Sequence, residues 1–490
     1  MLVTEHTTAQ SEINKPSSGS FIDGKWIGSG PKINIINPAT AQPFASVSTI
    51  DAAQVQVALE AAEAAFTPWR ETPAIERGDL LQRVAAELLL RRDEIAKAIT
   101  LENGKPIAQS QGEVSMTVDH LRWFAAEAAR VYGRTIPNQA RGKRHITVKT
   151  PIGIVGAISP WNFPLVLAVR KIAPAMAAGC PVILKPASQT PFSAIKLAEC
   201  MQAAGVPPGL FQVVLGDAAM ISRELLSSPI CRKISFTGST QVGRLLIQGA
   251  AQTIKPLCLE LGGLAPVLVF DDCDLDIAVR ETIIAKFRNT GQSCIAANRI
   301  YVQKGIYKQF VDKFCEAVTA LKTGDGLTPG MDVGPVINEA ALKSALNQID
   351  DATRTGARVA LGGNRLPDSP GYFLQPTVLE GVCNGALCMS EETFAPIAPI
   401  CSFDTEDEVI QRANDTPYGL SAYAMTRDFA RILRLSEKIE AGTLGINDGA
   451  PTVSSSPFGG VKQSGWGREL GTEGLEAFLE TKHVSLGHVA

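Results

Sequence analysis

The chain lacks the residue clusters that mark a metal or redox protein. Its five histidines, at positions 6, 120, 145, 483 and 488, are scattered, and no His, Cys or carboxylate group has zinc-ligand spacing. None lies close in sequence to Cys294, so nothing local suggests a cysteine–histidine hydrolase, although such partners can come from distant parts of a chain. Ten cysteines are present without one Cys-x-x-Cys pair. Most stand in apolar runs such as Gly179-Cys180-Pro181-Val182, which suits buried free thiols in a reducing cytoplasm; a Cys383–Cys388 bridge is not expected there. No apolar run approaches the ~20 residues that span a bilayer. Met1 to Ser20 is polar, carries both signs of charge and has no apolar core of a signal peptide, so it reads as a frayed or docked arm. The net charge of −3 leaves no basic field for nucleic acid or an anionic membrane. Internal repeats, low-complexity tracts, coiled-coil heptads and the spaced Gly-x-Gly-x-x-Gly fingerprint are also missing.

What is present is an ordinary globular composition, 45% hydrophobic and 19% charged. Its 490 residues allow two or three domains. Phe21 to Trp26 reads as a hairpin turning at Asp23-Gly24, and Asn37-Pro38 begins a loop. Helices are expected over Asp51–Phe66, with Asp51 as N-cap, over Pro73–Ala98 closing near Gly104, and over Glu113–Tyr132. His145 to Lys149 alternates as a strand, and Lys482 to Ser485 is its natural partner. Two such strands standing apart from a main sheet suit either a contact between subunits or a surface hairpin.

From Pro151 the pattern becomes α/β. Strands over Gly153–Ile158, Pro181–Lys185, Gln212–Leu215, Lys233–Phe236 and Pro256–Leu259 alternate with helices over Leu165–Ala178, Pro191–Ala203, Ala218–Leu226 and Thr240–Ala250. This predicts a parallel sheet with helices on both faces and ligands beyond the carboxyl ends of its strands. A second block begins near Ala265. Its strands are Pro266–Phe270, Arg299–Val302, Arg358–Leu361, Leu420–Thr426 and Thr443–Asn447. Its helices are Ile306–Leu321, Glu339–Ala352 and Glu406–Asn414.

Several polar loops sit at strand ends. Cys294 follows the turn Arg288-Asn289-Thr290-Gly291-Gln292-Ser293. A cysteine attacks a carbonyl only as thiolate, and turn amides with Arg288 are the groups here that would lower its pKa. Asn162, in Ser159-Pro160-Trp161-Asn162-Phe163-Pro164, is fixed by prolines on both sides, as an oxyanion donor must be. Lys185 ends the next strand and suits a ribose or phosphate oxygen. Phe236-Thr237-Gly238-Ser239 starts a helix whose first amides suit a phosphate. Glu260, before Leu261-Gly262-Gly263, suits a general base in a cleft. Glu391-Glu392-Thr393-Phe394-Ala395-Pro396 is, by itself, only an acidic turn.

In this order the motifs Pro-Trp-Asn-Phe-Pro, Lys-Pro-Ala, Phe-Thr-Gly-Ser-Thr, Glu-Leu-Gly-Gly, Gly-Gln-x-Cys, Glu-Glu-x-Phe-x-Pro and Pro-Phe-Gly-Gly resemble the aldehyde dehydrogenase superfamily. The NADP-dependent succinate-semialdehyde dehydrogenases are the nearest likeness. The resemblance runs from the Asp23-Gly24 hairpin to Gly465. It implies an α/β fold with two doubly wound domains and a β-arm for oligomerisation. Residues 1–130 and 152–261 would form the cofactor domain, 262–450 the catalytic domain, and 131–151 with 470–490 the arm. By the same likeness Cys294 is the nucleophile, Glu260 the base and Asn162 the oxyanion donor. The cofactor would lie along Ile158, Pro160, Trp161, Lys185, Ala187, Ser188, Phe236, Thr237, Gly238, Ser239, Val242, Leu261 and Gly262. Glu392 would hold its ribose, and Phe394 its nicotinamide. A cytoplasmic homodimer or homotetramer is implied, with no metal.

Two comparisons narrow the chemistry. Ser188 stands where many NAD-using relatives carry a glutamate that would repel a 2′-phosphate. NADP is therefore the expected cofactor, with NAD as a second. Arg170 and Arg288 match the carboxylate-binding arginines of succinate-semialdehyde dehydrogenases, and Thr452 falls near an assisting hydroxyl. A guanidinium grips a carboxylate with two parallel bonds, so the substrate read here is a short semialdehyde with an anionic tail. Succinate semialdehyde comes first, with glutarate semialdehyde and sulfolactaldehyde as alternatives. Ala395, Leu264, Trp466 and the loop Gly449–Ser456 depart from the family pattern. A cysteine hydrolase, or a relative without catalysis, is the rival reading; neither explains the strand-end loops together with Cys294 and Glu260.

Overall fold

Five short strands, nearly all of their residues buried, build the first sheet: Ile154–Ile158, Val182–Lys185, Phe211–Val213, Cys231–Thr237 and Leu257–Glu260. Continuous burial marks strands covered on both faces, and these pair in parallel. In space they lie in the order Phe211, Val182, Ile154, Cys231, Leu257. The order reverses beside Ile154–Ile158, the place where an open α/β sheet leaves a crevice at its carboxyl edge. The register aligns that edge, with Ile158 opposite Lys185 and Thr237 opposite Glu260. Antiparallel strands close both sides: the hairpin Ser20–Ile22/Lys25–Ile27, and Gly465–Trp466 beside Leu257–Glu260.

The second sheet has seven strands. Ala265–Val269 lies between Ala297–Gln303, the central strand, and Ser421–Met425; Ile397–Phe403, Thr377–Glu380 and Thr443–Ile446 extend it in parallel, and Arg358–Leu361 closes one edge antiparallel. The chain crosses from the first sheet to the second in a few residues, Leu261 to Leu264. The carboxyl edge of one sheet therefore faces the amino edge of the other.

The structure, a computed structural model, describes residues 18–487. The arm read over Met1 to Ser20 lies almost wholly outside the described residues. Helix Ala52–Glu71 begins at a capping box, in which Asp51 accepts from the Gln54 amide at 3.0 Å and Gln54 accepts from the Asp51 amide at 3.1 Å. The single helix expected over Pro73–Ala98 is two, Ala74–Leu90 and Arg92–Asn103, broken at Arg91. The apolar spacing continues through the break because both pieces face one core with Val84, Leu88, Ile95, Leu121 and Phe124. Asn37 ends a strand rather than beginning a loop. Lys32–Asn37 pairs with Gln42–Ser48 through a turn in which the Asn37 side chain accepts from the Ala39 amide at 2.9 Å.

Lys143–Pro151 pairs antiparallel with Leu479–Gly487, Val148 facing Lys482, and with Arg134–Ile136, in a sheet of its own. All ten cysteines, Cys383 and Cys388 among them, are free. Among the described residues no helix is long and apolar enough to cross a membrane, and no group of three or more His, Cys, Asp or Glu side chains is placed to hold a metal ion.

Candidate active site

Helix Leu275–Phe287 delivers the chain to Cys294. It is capped at its start by Asp274 and ends where Asn289, Thr290 and Gly291 take left-handed φ angles of 51°, 60° and 74°. Two consecutive non-glycine residues in that region cost roughly 1–3 kcal/mol each unless the surroundings hold them. Here they are held. The Asn289 amide donates to Gln109 Oε1 at 2.8 Å, Thr290 Oγ1 accepts from the Gly334 amide at 3.1 Å, and Gln292 Oε1 accepts from the Ile337 amide at 2.9 Å. Gly263 permits the final approach, since a Cβ there would sit 2.4 Å from the Cys294 carbonyl oxygen.

A cavity of about 220 Å³ opens between the sheets. It is lined by Pro160, Trp161, Asn162, Thr237, Gly238, Ser239, Leu261, Gly262, Cys294, Glu392 and Phe394. All are site residues expected from the sequence. A larger groove of about 560 Å³, along Asp23, Trp69 and Arg83, holds none of them. Asn162 is buried, and its side-chain nitrogen donates to the Gln292 carbonyl at 3.1 Å; that acceptor fixes which end of the amide is nitrogen and leaves its second N–H free to donate. Both Glu260 carboxyl oxygens are buried with no hydrogen-bond partner. Gly459, in Pro457-Phe458-Gly459-Gly460, makes room for them, because a Cβ there would lie 2.7 Å from Glu260 Oε1.

Most of the site is buried, and its pKa values follow from that. Burial pushes the Cys294 thiol up to about 12; the charges of Glu392 and Glu260 add to the rise and Arg170 opposes it. Of the nearby cations, Arg170 opposes the rise most. The resting group is thus a thiol rather than a standing thiolate. Burial also raises Glu260 well above the carboxylate range, helped by Glu469 and resisted by Lys171, Arg170 and Arg468. Lys171 and Glu469 were not legible as site residues. The Lys171 ammonium is buried and bonds both Glu469 Oε1 and Thr237 Oγ1. Two adjacent cations, Arg170-Lys171, in an otherwise apolar helix were the available signal.

Arg170 and Arg288 have no carboxylate in an ion pair among the described residues. The Arg170 guanidinium, almost fully buried, lies 4.7 Å from the centre of the Phe458 ring, and its Nε has no partner. Arg288 lies 5.6 Å from the Phe163 ring. The Thr452 hydroxyl is likewise buried and unpartnered.

At the other end, Lys185 donates to the Pro186 carbonyl at 2.8 Å and stands 3.4 Å from the hydroxyl of exposed Ser188, with Ala187 half-buried between them. Burial lowers Lys185 to about 8, against the charge of Asp217. Ser239 caps helix Thr240–Ala251 by accepting from the Val242 amide at 3.3 Å. Glu392 accepts from the Gly263 amide at 3.2 Å, and burial raises it to about 7. Phe394 meets Trp161 edge-on, with ring centres 5.5 Å apart. Ile158 and Phe236 are buried in an apolar core with Leu246 and Leu259, the Phe236 ring lying against Gly238.

A sequence profile described as "Aldehyde dehydrogenase family" matches residues 26–484. The chain is 47% identical to a 3-sulfolactaldehyde dehydrogenase of Pseudomonas putida, over 98% of this chain and 99% of that one. It is 46% identical to a glutarate-semialdehyde dehydrogenase of Pseudomonas aeruginosa, covering 96% and 98%. It is also 46% identical to an NADP-dependent succinate-semialdehyde dehydrogenase of Escherichia coli, covering 96% and 97%. Among solved structures, an aldehyde dehydrogenase from Brucella melitensis biovar abortus superposes with a TM-score of 0.95 at 44% identity, covering 98% and 99%.

Changing Gly263 to Ala is expected to lower turnover about 100-fold, the effect of displacing a reacting atom by about 1 Å. Far-ultraviolet circular dichroism should remain that of the parent. Unchanged turnover would show that the close approach to Cys294 has no bearing on chemistry.

Proposed function

The chain belongs to the aldehyde dehydrogenase family, and on that premise we propose that it oxidises a short semialdehyde with an anionic tail to the corresponding acid, using NADP in preference to NAD. Succinate semialdehyde heads the class; glutarate semialdehyde and sulfolactaldehyde belong to it. The observation that carries the tail is the pair Arg170 and Arg288. A buried guanidinium without a carboxylate is costly; buried Arg170 and half-buried Arg288 both lack one, while the field of Arg170 reaches the Cys294 sulfur. A carboxylate or sulfonate on the substrate completes them, with the Thr452 hydroxyl as a further donor. An apolar aldehyde gives that pairing no purpose.

Cys294 attacks the aldehyde carbon as thiolate, its proton passing to solvent in the cavity, which leaves the Glu260 carboxylate free for the later step. The free N–H of Asn162 and the Cys294 amide face the oxyanion, a contribution of roughly 3–4 kcal/mol for one well-placed donor. When bound, the nicotinamide cofactor supplies the hydride acceptor that turns the thiohemiacetal into a thioester. Glu260 then takes a proton from the water that cleaves the thioester, which regenerates the thiol.

The cofactor cradle fits a nucleotide carrying a 2′-phosphate. Lys185 and Ser188 supply an ammonium and a hydroxyl there, and Asp217, the acid whose charge reaches Lys185, already caps helix Ala218–Ser227 through the Met220 amide at 2.7 Å. The start of helix Thr240–Ala251 suits the diphosphate, and Glu392 suits a ribose hydroxyl. The exposed strand Arg134–Ile136 leaves an edge for pairing with a second copy, which supports a homodimer or homotetramer. Ten free cysteines accord with the cytoplasm.

Replacing Arg288 by Ala is expected to raise KM for succinate semialdehyde about 10–100-fold, the loss of one charge-assisted pair, with little change for butanal. Equal effects on both would refute the anionic-tail reading. Lys185 is charged only below its pKa of about 8. The ratio of kcat/KM for NADP to that for NAD should therefore fall as pH rises through that value. A ratio flat across it would remove Lys185 from phosphate recognition.

A further inference from the structure

Three donors from separate parts of the chain converge on one backbone oxygen. The carbonyl of Asn162 accepts from the Lys105 ammonium at 2.7 Å, from the Asn289 side-chain amide at 2.8 Å and from that of Asn103 at 3.4 Å. The side chain of the same residue is held as well, because Asn162 and Asn289 both donate to the Gln292 carbonyl, at 3.1 and 3.0 Å. Asn162 is thus clamped at its backbone and at its amide, and Asn289 belongs to the left-handed turn that leads to Cys294.

Lys105 is the charged member of this clamp, and it is only 1% exposed. Glu113 matches its charge at 2.7 Å, with both side chains buried. The other Glu113 oxygen accepts the amides of Leu165 and Val166 at 2.9 and 3.2 Å, where helix Val166–Ala178 begins. A buried ion pair adds little stability over apolar side chains of similar volume, so packing alone does not account for it. A charge-assisted bond is shorter and stronger than a neutral one, which suits Lys105 to setting the plane of the Asn162–Phe163 peptide. Rotating that plane swings the Asn162 side chain.

We propose that Lys105 is a positioning residue which, by gripping the Asn162 carbonyl, aims the Asn162 amide at the oxygen of the Cys294 adduct. It touches neither substrate nor cofactor. The inference rests on the reading of Asn162 as oxyanion donor given above, and the experiment separates the two.

The experiment is a double-mutant cycle with Lys105→Met and Asn162→Ala, measured as kcat with succinate semialdehyde and NADP. Asn162→Ala should lower kcat about 100–1,000-fold, and Lys105→Met about 10–100-fold. The double variant should fall no further than Asn162→Ala. Carbamidomethylation of Cys294 by iodoacetamide, which forms no oxyanion, should keep its rate in Lys105→Met when followed by peptide mass spectrometry. Losses that multiply in the double variant, or a kcat for Lys105→Met within about twofold of the parent, would overturn the positioning role. An unchanged kcat in Asn162→Ala would instead sink the oxyanion reading, and the inference with it. Where Lys105→Met fails to fold, Lys105→Met with Glu113→Gln removes both charges, keeps an oxygen for the Leu165 and Val166 amides, and carries the same expectation.

Discussion

Unbonded polar atoms, kept from water around one sulfur, are the feature on which this structure turns. Both Glu260 oxygens, Asn162 Oδ1, Arg170 Nε and Thr452 Oγ1 are buried without a partner. Each such group costs about 1–3 kcal/mol, and native folds rarely tolerate several near one point. The cost is local. Around it, the two sheets and their helices bury continuous apolar cores. The same burial that raises the Cys294 thiol raises Glu260.

The sheets make this geometry cheap to build. The first presents its carboxyl edge, with Thr237 opposite Glu260, and the second presents its amino edge, with Cys294 just before Ala297–Gln303. Only Leu261 to Leu264 separate them, so Glu260 and the Cys294 carbonyl are brought together by a short tether rather than by a mobile loop. Glycine pays for closeness twice: at Gly263 against the Cys294 oxygen, and at Gly459 against Glu260. Phe458, beside Gly459, carries Arg170 on its ring. One motif thus lies against both Glu260 and Arg170.

Much of this was legible in the sequence, for a physical reason. Buried parallel strands read as short apolar runs, and the polar loops after them stand out against that background; Pro160 to Asn162, Thr237 to Ser239 and Glu260 to Gly262 all declared themselves so. What stayed hidden depends on distant partners. Lys171 and Glu469 are almost 300 positions apart, and neither residue type says that they will meet. Lys105 sits at an unremarkable helix end. The thiol was misjudged because charge spacing along the chain pointed to a lowered pKa, whereas burial, which no local pattern shows, raises it, with Arg170 as the leading opposing cation. Strand Lys32–Asn37 was lost to Asn37-Pro38, a pair that suits a loop and here makes a hairpin turn.

The central claim is that Cys294 and Glu260 act in sequence on one substrate carbon, the first as nucleophile and the second as base for water. Intact-protein and peptide mass spectrometry of Glu260→Gln, mixed with succinate semialdehyde and NADP, tests it directly. The account predicts that a succinyl thioester accumulates on Cys294 to about one per subunit and turns over at least about 100-fold more slowly than in the parent. No adduct, an adduct on another cysteine, or turnover at the parent rate would contradict it.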